Sequence, residues 1–169
     1  NYPELREQLM EAGHVFATHT DSETLIHGYE EWGEGLVDRL RGMYAFVIWD
    51  REQKRLFGAR DMFGIKPFYY AKMNDCFLFS SEIKSFLEHP KFDKVFNEDA
   101  LANYLSFQFV PTNETFFKGV YCLQPGHYFV YENGEINITR YFEPHFTGDT
   151  DKTFEEIVNE VEAVMKESV

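Results

Sequence analysis

The chain has 169 residues, a formal net charge of −13, and an aromatic content of 18% that includes 18 Phe and 10 Tyr. So much ring surface excludes a disordered chain, and an acidic balance with no basic patch argues against a nucleic-acid binder. Two cysteines, Cys76 and Cys122, make no disulfide framework and stand in no metal-ligand spacing, which suits a reduced, cytoplasmic setting.

A chain of this length suits one domain with one core. No apolar run approaches the roughly 20 residues of a membrane helix, and no basic-then-apolar signal peptide is present. The triplets at Asn113 and Asn137 that resemble glycosylation acceptors then read as chance matches. Asn1-Tyr2-Pro3 carries no initiator Met and reads as the interior of a longer sequence.

Pro3 suits a first helical turn, and Leu5, Leu9 and Met10 supply an apolar face up to Gly13. Thr20-Asp21-Ser22-Glu23 has the spacing of a capping box, with Leu25, Ile26 and Tyr29 as the face to be buried. Gly33 and Gly35 interrupt this helix, and Leu36, Val37 and Leu40 restart it briefly before Gly42. Tyr44 to Trp49 is a continuous apolar run that suits a strand buried on both faces, and Arg55 to Arg60 should pair with it as a hairpin.

Past a turn region at 61–67, short strands are expected at 68–71 and 76–79, joined by an Asn74-Asp75 turn, in an antiparallel arrangement. A helix capped by Ser80 or Ser81 should end at Pro90. A further helix opens at Asn97 or Asp99, with Leu101, Tyr104, Leu105 and Phe107 as its stripe. Gln124-Pro125-Gly126 signals a tight turn, and Asn133-Gly134 between 128–131 and 136–138 signals a type I′ hairpin. Thr147 to Asp151 reads as a linker. Phe154, Ile157, Val158, Val161 and Met165 then mark an acidic amphipathic helix whose apolar face needs a partner, as the first element of a second domain would.

Chemistry is sparse. The sequence has no phosphate loop, zinc signature or nucleophile elbow, and its six histidines are scattered without ligand spacing, so no metal site is read. The cysteines read as buried structural thiols. Three places draw notice. Arg60-Asp61 precedes Gly64-Ile65-Lys66-Pro67, where a charge pair would lock the chain to an adjoining element, structural ion pairing being the simpler reading. Asp21 begins a helix, either as an N-cap or as an acceptor for the ammonium of a small ligand. Met43 begins a strand and reads as core.

The segments around 1–6, 19–23, 42–50 and 59–70, followed in order by Ser81-Glu82-Ile83-Lys84-Ser85, Leu101 to Leu105, Phe117 to Val120 and Leu123 to His127, resemble the glutaminase domain of the asparagine synthetase family. These are class II glutamine amidotransferases. The resemblance implies an α+β, N-terminal nucleophile fold, an αββα sandwich with antiparallel sheets. It implies a partial glutaminase domain over 1–146, and a linker with the first helix of an ATP-dependent synthetase domain over 147–169.

In that family an N-terminal cysteine attacks the side-chain amide of glutamine, and the released ammonia amidates an ATP-activated aspartate. Asp21 matches the carboxylate that binds the α-ammonium of glutamine. Met43 matches a position near the ammonia passage, and Arg60 and Asp61 match one near the domain junction. The family's Met-Cys-Gly start and Ser-Gly-Gly-x-Asp-Ser loop are not in these 169 residues. The chain alone is therefore expected to be inactive and to hold no catalytic residue, metal or cofactor, ATP and magnesium belonging to the longer enzyme. Glutamine, the remaining glutaminase segment, the synthetase domain and a second copy in a homodimer are the expected partners, with no nucleic acid or membrane. Two alternatives stay open: another class II amidotransferase or β-lactam-forming relative, and a non-catalytic binding module of the same fold.

Overall fold

The computed structural model describes residues 1–73, 76–146, 148 and 151–168. The expected Asn74-Asp75 turn, and Thr147, Asp149 and Thr150 of the expected linker, lie outside the described residues. Helices α1 (Tyr2–Glu11) and α2 (Asp21–Trp32) precede a 3-10 turn at Gly33–Asp38. The hairpin β1 (Ala45–Asp50) and β2 (Arg55–Arg60) follows, then β3 (Tyr69–Lys72), β4 (Phe77–Ser80) and a second 3-10 turn at Ile83–Glu88. The chain continues through α3 (Glu98–Phe107), β5 (Val120–Cys122), β6 (His127–Glu132), β7 (Glu135–Arg140) and α4 (Phe154–Glu167).

The strands form two antiparallel sheets rather than one run of neighbours. One sheet has the order β1-β2-β6-β7 and the other β4-β3-β5. Three apolar clusters alternate with them. Leu5, Leu36, Val37, Phe57 and Ala59 pack between the N-terminal helices and the first sheet. Phe68, Tyr70, Leu123 and Phe129 fill the space between the sheets. Ala71, Phe86 and Val120 lie on the outer face of the second sheet, against Phe92 and Phe117. This is the expected layered α+β sandwich.

Local turn chemistry settles the hairpins. Asn133 (φ 52°) and Gly134 (φ 81°) adopt the left-handed conformations of a type I′ turn and join β6 to β7, with Glu132 opposite Glu135. Where β2 meets β6, Gly58 lies opposite Phe129, and the fully buried Phe129 ring occupies the space a side chain at 58 would need. A Cβ there would stand 2.4 Å from the ring and 3.1 Å from the Phe46 carbonyl.

Burial departs from the apolar pattern in several places. β1 touches a cluster with each face, Phe46 and Ile48 on one and Ala45 and Val47 on the other. It is nevertheless an edge strand, so its residues are half-buried and Trp49 is exposed. On α1, Leu5 and Leu9 are buried but Met10 faces out. On α2 the buried positions are Thr24 and Gly28, while Ile26 is exposed. The helix approaches Leu36 so closely that a Cβ on Gly28 would lie 2.7 Å from the Leu36 Cδ1. The expected stripe of α3 is largely exposed at Tyr104, Leu105 and Phe107, and small Ala100 is its buried contact. The two expected short helices, after Gly33 and after Ser81, form only as 3-10 turns.

Helix α4 starts on a full capping box, Thr153 Oγ1 accepting from the Glu156 N–H and the Glu156 carboxylate accepting from the Thr153 N–H at 2.7 Å. None of its described side chains is buried. Arg41 pairs with Glu167 at 2.8 Å, both side chains being 64% exposed, a geometry in which an ion pair adds little stability.

Gly58→Ala is expected to lower stability by about 1–3 kcal/mol through overpacking against the fully buried Phe129 ring. Urea unfolding should show a lower midpoint at unchanged slope.

Candidate functional site

The loop before α2 is closed by Glu23. Its carboxylate accepts from the N–H groups of Ala17 and Thr18, each at 2.7 Å, and from the Thr18 hydroxyl. Those donors, led by the Thr18 hydroxyl and the Ala17 N–H, hold the Glu23 carboxyl at a pKa of about 2. The capping box read from the sequence is therefore only half formed. Thr20 Oγ1 accepts from the Glu23 N–H at 3.3 Å, whereas Glu23 reaches past Thr20 into the loop. Arg6 supports the same loop from α1, donating to the Thr18 carbonyl and lying 4.3 Å over the Phe16 ring.

Thr20, not Asp21, is the N-cap. Asp21 is the first helical residue, exposed, and among the described residues its carboxylate accepts only a long 3.4 Å bond from the Ser22 hydroxyl. The outcome is an available carboxylate on a braced helix start.

Arg60 and Asp61 do not pair with each other as an isolated ion pair; both bind the backbone of the loop that carries the chain from the first sheet to the second. The Arg60 guanidinium donates to the carbonyls of Leu123 (2.6 Å), Gly64 (2.7 Å) and Lys66 (2.7 Å), and to Cys122 Sγ at 3.0 Å. Asp61 is 1% exposed. Its carboxylate accepts from the N–H groups of Phe63 (3.2 Å), Ile65 (3.0 Å) and Lys66 (3.0 Å). Burial pushes the Asp61 carboxyl up, but these donors and the backbone at Tyr44 outweigh it and hold the value below the usual aspartate range. Gly64 (φ +66°) permits the approach, since a Cβ there would meet Pro125 at 2.7 Å and the Arg60 guanidinium carbon at 3.0 Å.

A second tie was not legible in the sequence. The Tyr141 hydroxyl donates to the Arg60 carbonyl at 2.7 Å and lies 2.7 Å from the Tyr44 hydroxyl, joining residues 97 positions apart. Burial raises the Tyr44 phenol well above the usual tyrosine range and pushes the Tyr141 phenol in the same direction. Nothing near either tyrosine in the sequence announces the contact.

Met43, expected in the core, is 60% exposed. It precedes Tyr44, whose carbonyl accepts from the Asp61 N–H at 2.9 Å, and the start of β1, where Ala45 pairs with Arg60. Met43, Arg60 and Asp61 thus share one end of the first sheet. Asp21 lies on α2, and no hydrogen bond or ion pair among the described residues joins it to them. Both cysteines are half-buried free thiols rather than fully buried ones.

Two of the histidines that seem scattered in the sequence meet in the fold. His14 and His27 face each other through Nδ1 atoms 3.3 Å apart, beside Glu30.

Residues 1–142 match the glutamine amidotransferase domain family, and the chain belongs to it. Similar proteins are of the asparagine synthetase type. The chain is 36% identical to asparagine synthetase [glutamine-hydrolyzing] 3 of Bacillus subtilis, with 100% of this chain and 28% of that protein covered. It is 42% identical to asparagine synthetase [glutamine-hydrolyzing] 1 of the same organism, with 86% and 23% covered. The chain thus spans about a quarter of the length of these curated relatives. Among solved structures, the glutamine phosphoribosylpyrophosphate amidotransferase of B. subtilis superimposes with a TM-score of 0.55 at 21% identity, over 85% of this chain and 27% of that one. This supports the N-terminal nucleophile sandwich as the fold.

Asp61→Asn retains the shape of the side chain but turns one acceptor toward backbone donors as a donor, and should cost about 2–3 kcal/mol. A depressed folded pKa means the ionised Asp61 contributes fully above the unfolded value of about 4, and that this contribution is lost as pH falls through the lower folded value. Urea midpoints measured against pH should therefore show an acid-dependent loss in the native chain that is smaller in the variant.

Proposed function

We propose that the chain is the glutamine-binding part of a glutaminase domain within a longer, asparagine-forming enzyme. The reading rests on the family match over 1–142 together with Asp21, an exposed carboxylate on a helix start whose loop is braced by Glu23 and Arg6. In this reading Asp21 accepts the α-ammonium of glutamine in a charge-assisted hydrogen bond. The amide nitrogen leaves as ammonia and is passed to an activated aspartate elsewhere in the longer protein, where ATP and magnesium act.

Met43 is assigned to the ammonia passage, and Arg60 and Asp61 to the junction with the next domain. Their sharing of one end of the first sheet supports this, as does the exposure of Met43. Helix α4, with Ile157, Val158, Val161 and Met165 on its surface, is assigned as the first helix of the synthetase domain. A cytoplasmic homodimer completes the proposal. No described helix is long and apolar enough to cross a membrane.

In the longer protein, Asp21→Ala should raise KM for glutamine about 10–100-fold, the worth of one charge-assisted contact. Asparagine formation from added ammonia should persist. Steady-state assays with glutamine and with ammonium as nitrogen donors make the comparison, and an equal loss with both donors would count against Asp21 as a glutamine contact.

A further inference from the structure

We propose that His14, His27 and Glu30 form a binding site for a divalent cation of the zinc class, independent of the glutamine reading. Glu30 Oε2 lies 2.8 Å from His27 Nδ1 and 3.6 Å from His14 Nδ1, and the two Nδ1 atoms are 3.3 Å apart. In a tetrahedral zinc site with bonds of about 2.0–2.1 Å, neighbouring ligand atoms stand about 3.3 Å from one another. The three atoms therefore form a triangle of the size of one face of such a tetrahedron, and Glu30 is the most exposed of the three side chains.

The surroundings suit metal ligands as well. The other ring nitrogen of each histidine faces a carboxylate, His14 Nε2 at 3.1 Å from Glu31 Oε2 and His27 Nε2 at 3.8 Å from Glu23 Oε1. A carboxylate behind the imidazole draws the ring proton to Nε2 and leaves the Nδ1 lone pair aimed at the cation, the usual outer arrangement of metal-bound histidine. In the Nε2–H tautomer of both rings the Nδ1 lone pairs face each other and the Glu30 carboxylate, an arrangement that a cation between them completes. Both rings are largely covered, with side chains 17% and 18% exposed, and Phe16 sets its edge against His27 at 4.7 Å. Imidazole with carboxylate selects a zinc-class ion over calcium or magnesium, which prefer oxygen alone.

The position gives the site a purpose. His14 belongs to the loop after α1, whereas His27 and Glu30 sit on α2. A bound cation would clip that loop to the helix that begins at Asp21.

Chelator-treated 169-residue chain, titrated with zinc by calorimetry and with cobalt(II) by absorption, is expected to bind a single ion with a tetrahedral cobalt spectrum. Histidine ring signals in NMR should shift at His14 and His27 and stay in place at the other four histidines. Glu31→Gln should weaken zinc binding about 10–100-fold, the usual effect of removing an outer carboxylate. His27→Gln should weaken it further. Absence of zinc binding to the native chain, shifts confined to other histidines, or unchanged affinity in a folded His27→Gln chain would each overturn the proposal. Since the NMR readout uses the native chain, the result holds even if a variant fails to fold.

Discussion

The sandwich depends on one buried carboxylate. After β2 the chain must leave the first sheet and begin the second within the few residues from Asp61 to Phe68, a stretch that cannot satisfy its own backbone through strand pairing. Asp61 takes up three of its N–H groups while Arg60 takes up two of its carbonyls and reaches across to Leu123. The Asp61 carbonyl also accepts from Gly126, whose own carbonyl accepts from Tyr141 and Phe142. The crossover, the approach to β6 and the exit from β7 are therefore tied at one point. Burial of a charge is costly unless every lone pair is engaged, and here backbone dipoles do what a counter-ion would otherwise do.

With the crossover held, the two sheets close over aromatic side chains. Phe129 stacks on the bare backbone of Gly58 from one strand and meets Phe68 and Phe77 from the other sheet. Phe77 in turn lies parallel to Tyr131 at 4.5 Å. The high ring content is thus the filling between two short-stranded sheets, where large flat side chains cover area that strands of three to six residues cannot.

What was legible in the sequence is what local chemistry decides. The β1–β2 and β6–β7 hairpins, the start of α2 and the amphipathic α4 follow from turn residues, caps and periodicity a few positions apart. The three-residue β5 was not read, since Val120-Tyr121-Cys122 is too short for a pattern and exists because β3 offers it a free side. Nor was the change of sheet at Asp61, which depends on the return of Leu123 and Gly126 some 60 positions later. Burial is not legible where an apolar residue stands on or beside the edge strand β1, as Trp49 and Met43 do, or on the outer face of a helix, as Met10 and Ile26 do. Of the site, the resemblance pointed to Asp21, Met43, Arg60 and Asp61. It could not say that Arg60 and Asp61 serve the backbone, and the spacing of 13 between His14 and His27 hid their meeting across a loop.

The tyrosine pair has a consequence for how the crossover behaves electrically. Tyr141 spends its single hydroxyl hydrogen on the Arg60 carbonyl, so the bond between the two phenols can only run from Tyr44 to Tyr141. Both phenols are held neutral beyond their ordinary range, and Asp61 is held ionised below its own. Between mildly acidic and mildly alkaline conditions none of these three groups changes charge. The crossover thus holds a fixed set of hydrogen-bond directions around the Arg60 carbonyl, and a pH change within that range rearranges none of them.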